Sequence, residues 1–176
     1  MKTWSPFPAL ALAALTCLLS AAACDAHADS RLLRSNAAGG STATAWVQRE
    51  GPRDARVQRG RGFATDGQGN AVAGAAGRWS GPGGATAERR AQVRRSADGT
   101  ATATSSRALD GARGSVQSDA SVARSADGQV QASRDTTAVR TATGNSVQRS
   151  VQYDSSSGLT RSYSCHDASG APMACR

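Results

Sequence analysis

The sequence predicts a mostly β chain, an antiparallel meander of long polar hairpin repeats behind an N-terminal signal helix. Three observations carry this: turn dipeptides at a near-constant interval, period-two alternation between them, and a shortage of large apolar residues. Gly67, Gly99, Gly128 and Gly158 close Asp-Gly or Ser-Gly pairs 32, 29 and 30 residues apart. Secondary breaks fall between them at Gly81-Pro82-Gly83-Gly84, at Asp110-Gly111 to Gly114, and at Gly144-Asn145. The flanking segments are self-similar, since Arg94-Arg95-Ser96-Ala97-Asp98-Gly99 matches Ala123-Arg124-Ser125-Ala126-Asp127-Gly128. This is the signature of a weak repeat with two turns per unit.

The chain divides into four stretches. Residues 1–28 form a signal peptide: a basic start at Lys2, an apolar run from Pro8 to Leu19, and Ala26-His27-Ala28 before Asp29. That order is a secretory address. Two endings are open. Ordinary signal peptidase cuts between Ala28 and Asp29 and releases a soluble chain. Alternatively, Leu19-Ser20-Ala21-Ala22-Ala23-Cys24 resembles a bacterial lipobox, departing from it in having Ala21 where leucine is favoured. A lipidated Cys24 would anchor the chain by acyl burial, at about 0.8 kcal/mol per buried methylene. Either ending places the protein in the periplasm, outside the cell, or on a membrane through Cys24, where disulfides are permitted.

Residues 29–44 are expected to be a flexible segment. Residues 45–160 hold the hairpin repeats, about 30 residues each, for seven to eight strands in all. In Gly99 to Ser106, threonines and Ser106 share one side of a pleat while Ala101, Ala103 and Ser105 share the other. In Ser146 to Tyr153, the Ser and Gln residues oppose Val147, Arg149, Val151 and Tyr153. Only a period of two separates these sets. Asp-Gly between such runs signals hairpins with type I′ turns, which require positive φ at both central positions. Arg falls on both sides of the expected sheet. Polar strands fix register weakly, so a β-solenoid and a largely disordered chain are the alternative readings. Val, Leu and Phe, with no Ile, make up about 10% of the residues after position 28, under the roughly 20% below which disorder is the default.

Residues 161–176 form a tail closed by a disulfide. Cys165 and Cys175 are the two cysteines left after the leader, and Ser169-Gly170 and Pro172 supply the bend between them. A cysteine pair in an exported chain reads as a bridge.

No catalytic, cofactor or metal site is assigned, and the reading is of a non-enzyme. His166 is the only histidine after the leader, and Cys165, His166 and Cys175 offer three ligands at a spacing unlike that of zinc sites. Glu50 and Glu88 are far apart in sequence. The glycines at 67–69 and 81–84 open no helix, so they make no phosphate cradle. Trp46 and Trp79 read as apolar anchors of a thin core.

Charge suggests partners. The net charge is +8, and all basic residues after the leader are Arg, twenty in number. GC-rich coding is the plain account of that excess. The functional account is contact with anionic envelope polymers, because guanidinium forks bind phosphate and carboxylate bidentately. The dispersal of Arg among Asp residues argues against specific nucleic-acid recognition. The expected role is therefore structural or interactive, in the bacterial envelope. The alternative is self-association as a matrix or adhesin subunit, because long polar strands can pair edge to edge.

Overall fold

The computed structural model describes residues 30–35 and 39–175. The signal segment, with Cys24, Ala28 and Asp29, lies outside the described residues. The rest is one open sheet of eleven antiparallel strands in sequence order. They are β1 (Ser30–Ser35), β2 (Ser41–Glu50), β3 (Arg56–Thr65), β4 (Ala71–Ser80), β5 (Thr86–Arg95), β6 (Ala101–Gly111), β7 (Gly114–Arg124), β8 (Val130–Arg140), β9 (Ser146–Asp154), β10 (Gly158–His166) and β11 (Pro172–Met173). The antiparallel meander is thus the architecture, and each strand pairs with its sequence neighbours.

Eleven strands exceed the seven to eight expected. One reason is the turn at Gly51–Ala55, which lies outside the Asp-Gly series. There Gly51 N–H donates to the Ala55 carbonyl at 2.7 Å, and Arg53 and Asp54 take positive φ of 57° and 60°. The other reason is that strands form at both ends. The stretch 29–44, expected to be flexible, contributes β1 and the start of β2, and β11 adds a two-residue strand to the tail.

The Asp-Gly turns are not type I′. At residues 96–100, Ser96 N–H donates to the Thr100 carbonyl at 2.9 Å and Gly99 N–H donates back to Ser96 at 3.1 Å. Only Gly99 has positive φ, at 90°. This is a three-residue loop, a type I turn followed by a left-handed glycine. Residues 125–129 and 167–171 repeat the same two bonds. The aspartate is therefore kept for its acceptor side chain rather than for a left-handed backbone. Asp98 Oδ1 takes the Thr100 N–H at 2.9 Å and hydroxyl at 2.7 Å. Asp167 Oδ1 takes the Ser169 N–H at 2.9 Å and the Ala171 N–H at 3.0 Å.

Among the described residues the sheet has no second layer. Among the described residues Cys165 is the one buried apolar side chain. The thin core expected around the tryptophans is absent, and each Trp instead lies over a glycine. The Trp46 ring occupies the space a Cβ on Gly60 would need, 2.6 Å from Cε3, and the Trp79 ring does the same over Gly81. A glycine in a strand leaves a gap that an aromatic neighbour can cover. Cohesion then rests on the backbone ladders and on cross-strand side-chain pairs, each worth roughly 0.2–1 kcal/mol.

Candidate functional site

Residues paired directly across an antiparallel ladder point to the same side of the sheet, and alternate residues along each strand point to opposite sides. The registers therefore assign every strand residue to one of two faces. One face is polar. It carries Thr42, Thr44, Thr102, Thr104, Ser106, Ser150 and Gln152, together with all six strand carboxylates: Glu50, Glu88, Asp110, Asp119, Asp135 and Asp154. A shallow open trough on this side is lined by Gly60, Gly74, Ala76, Arg90, Asp119 and Asp135 among others. Two arginines of the polar face, outside the trough, are paired: Arg56 Nε lies 3.4 Å from Glu50 Oε1, and Arg78 Nε lies 3.1 Å from Glu88 Oε1. The two glutamates thus serve separate ion pairs.

The other face carries twelve arginines and no carboxylate on its strands. Two adjacent rows of paired residues cross its middle. The first runs Arg59, Gly77, Arg89, Arg107, Ser118, Thr136, Arg149, Tyr163. The second runs Arg61, Ala75, Ala91, Ser105, Ala120, Arg134, Val151, Arg161. Seven exposed guanidinium groups therefore share a central band.

Apolar rows flank that band. On one side are Val57, Trp79, Ala87, Leu109, Val116, Ala138, Val147 and Cys165. On the other are Phe63, Ala73, Val93, Ala103, Val122, Ala132, Tyr153 and Leu159. Six residues separate the two rows along a strand, about 20 Å. Leu159 is 53% and Tyr163 58% exposed. Of the thirteen exposed large apolar side chains, ten lie on this face, Leu32, Trp46 and Val139 being the others.

Local bonds hold parts of the band in place. Ser118, only 7% exposed, shares a 3.0 Å hydroxyl bond with Thr136 and accepts from Arg134 Nε at 3.1 Å. The Arg149 guanidinium sits 5.4 Å from the Tyr163 ring centroid, a cation–π distance.

The tail is as the sequence indicates. Cys165 and Cys175 are joined in a disulfide with their Cα atoms 5.4 Å apart, which fastens β11 against the end of β10. His166 faces the opposite side of the sheet from Cys165 and pairs with Pro172. Among the described residues no group of three or more His, Cys, Asp or Glu is placed to hold a metal. Sequence reasoning set Ala and Val on one face against Ser, Thr and Gln on the other, as the registers do, but missed the concentration of arginine on the apolar face. Its signal was present in the loop lengths. Most loops here have an odd number of residues and preserve the parity of the strand positions. The β6–β7 loop has two residues, and between β8 and β9 the Arg140 N–H donates to the Asn145 carbonyl across a turn of four, so that each of these two connections reverses it.

Neither protein families, curated proteins nor solved structures give a match to this chain.

Proposed function

We propose that the protein is exported and acts as a structural or interaction component of the bacterial envelope, its arginine face contacting anionic polymers. It is a binding protein in this reading, not an enzyme. One observation carries the proposal: twelve strand arginines share a face on which the strands hold no carboxylate. Guanidinium groups so placed meet phosphate or sulfate without local competition, and association releases counterions. The paired arginines of the other face, Arg56 and Arg78, are already engaged.

The experiment is a salt titration of binding to duplex DNA and to lipopolysaccharide, with a neutral polysaccharide as control. Affinity should fall steeply between low and physiological salt, with no sequence preference on DNA. Equal binding to the neutral polymer, or affinity indifferent to salt, would overturn the reading. The export half is tested by intact mass. The processed chain should begin at Asp29, or at a lipidated Cys24 in a membrane-anchored form. A chain retaining Met1 to Leu19 contradicts export.

A second reading, self-association as a matrix or adhesin subunit, is favoured by the outer edge of β10. Among the described residues, Gly158–Ser164 have no strand on that side, β11 covering only Cys165 and His166. The stretch has no Pro, and open edges of this kind template pairing. Fibril-specific dye binding on incubation is the readout for it.

A further inference from the structure

The arginine face makes two demands of a partner, and a soluble polyanion meets one of them. DNA or an acidic polysaccharide would engage the guanidinium groups and leave Phe63, Leu109, Leu159 and Tyr163 against water. A second copy stacked face to face would cover the apolar rows but would set twelve arginines against twelve, with no strand carboxylate between them. The layer that supplies phosphates and apolar contact together is an anionic lipid surface. We propose that the arginine face docks flat on an anionic phospholipid surface. This rests on the anionic-partner reading above and narrows it to one class of partner.

The geometry suits an interfacial posture. The arginine band lies between two apolar rows about 20 Å apart, so headgroup phosphates can gather at the band while the rows dip toward the acyl boundary. Arginine stems are themselves apolar and extend their charged ends toward phosphate. Both tyrosines, Tyr153 and Tyr163, and Trp79 lie on this face. Such residues settle where one end is apolar and the other wet. Basic residues near an anionic membrane contribute favourably and add up over the patch. The interspersed charges keep the sheet at the interface and out of the hydrocarbon interior.

The test uses the processed chain, exported as the Cys24→Ser variant so that no acyl group takes part. Its two tryptophans report opposite faces, Trp79 on the arginine face and Trp46 on the polar face. Trp46→Phe leaves Trp79 as the reporter, and Trp79→Phe leaves Trp46. Each is mixed with phosphatidylglycerol–phosphatidylcholine vesicles, with phosphatidylcholine vesicles, and with duplex DNA. The expected result is binding to the anionic vesicles at least roughly tenfold tighter than to the zwitterionic ones, with a blue shift of Trp79 emission and none of Trp46. Salt-sensitive DNA binding without vesicle binding overturns the lipid proposal and leaves the broader reading standing. Vesicle binding that shifts Trp46, or leaves Trp79 unmoved, also overturns it. Binding to neither DNA nor anionic vesicles removes both.

Discussion

Arg89 and Arg107 stand directly opposite each other on β5 and β6, on a face whose strands hold no acid. Two like charges so placed lower the stability of the free sheet. Opposed residues are about 5 Å apart at the backbone, and two unit charges at that distance in water repel by about 0.8 kcal/mol. At physiological ionic strength the Debye length of about 8 Å cuts this to roughly half. The side chains splay outward, so these figures are ceilings. Arg107→Gln should therefore stabilise the protein by a few tenths of a kcal/mol while weakening its binding to polyanions. A double-mutant cycle with Arg89→Gln, read by urea denaturation, isolates the pair from changes in strand propensity. The coupling should approach about 0.5–0.8 kcal/mol at low salt and vanish in about 1 M salt, where the Debye length is about 3 Å. If Arg107 meets a phosphate, its loss should also lower the log–log salt slope for DNA by about 0.9. A coupling absent at low salt, or equally large at high salt, refutes the like-charge argument. An unchanged DNA slope removes Arg107 from the binding surface.

Two further outcomes follow from the turns and the tail. Removing the Cys165–Cys175 bridge by paired serine substitution should lower stability by at most roughly 2.5–3 kcal/mol, the chain-entropy value for a loop of this length; two cysteines freely alkylated without reductant in exported protein would contradict the bridge. Hydrogen bonds hold Asp66, Asp98, Asp127, Asp154 and Asp167 below the usual carboxylate range, chiefly from Asn70, the Thr100 backbone, Ser125, Ser156 and Ser169 respectively. Because the folded values are depressed, this contribution is complete above the unfolded value of about 3.9 and is lost as pH falls through the folded values. The thermal midpoint by circular dichroism should thus decline below about pH 4, and Asp98→Asn with Asp127→Asn should flatten the decline; a midpoint level across that range would show that these caps do not hold the turns.

The strands were legible wherever side-chain chemistry alternates strictly. Ser146–Tyr153 separates Ser and Gln from Val, Arg and Tyr, and β9 places those sets on opposite faces. The Cys165–Cys175 pair was legible from the cysteine count and from the compartment the leader led one to expect. The turn geometry was not, because Asp-Gly fits both a two-residue and a three-residue loop and only the backbone bonds decide. The arginine face was hidden for a related reason. Adjacent arginines such as Arg89-Arg90 and Arg94-Arg95 must point to opposite sides, so Arg on both sides was a fair reading strand by strand. The excess on one face emerges when parity is carried through every loop, including the reversals at Ala112-Arg113 and at Thr141–Gly144. One wrong loop length would have exchanged the faces of every later strand.

The absence of a second layer among the described residues has a consequence for how this sheet is assembled and altered. Each strand rests only on the strand before it and the strand after it, so the protein is a one-dimensional array, with energy carried in nearest-neighbour terms. Ordering can begin at any hairpin and spread outward through short-range closures, which keeps contact order low and folding fast for an all-β chain. An array of this kind can gain or lose a two-strand unit by duplication or deletion without repacking a centre, since inserting a hairpin that preserves loop parity leaves all other residues on their own side. Its length becomes an adjustable quantity, and with it the number of arginines presented on one face.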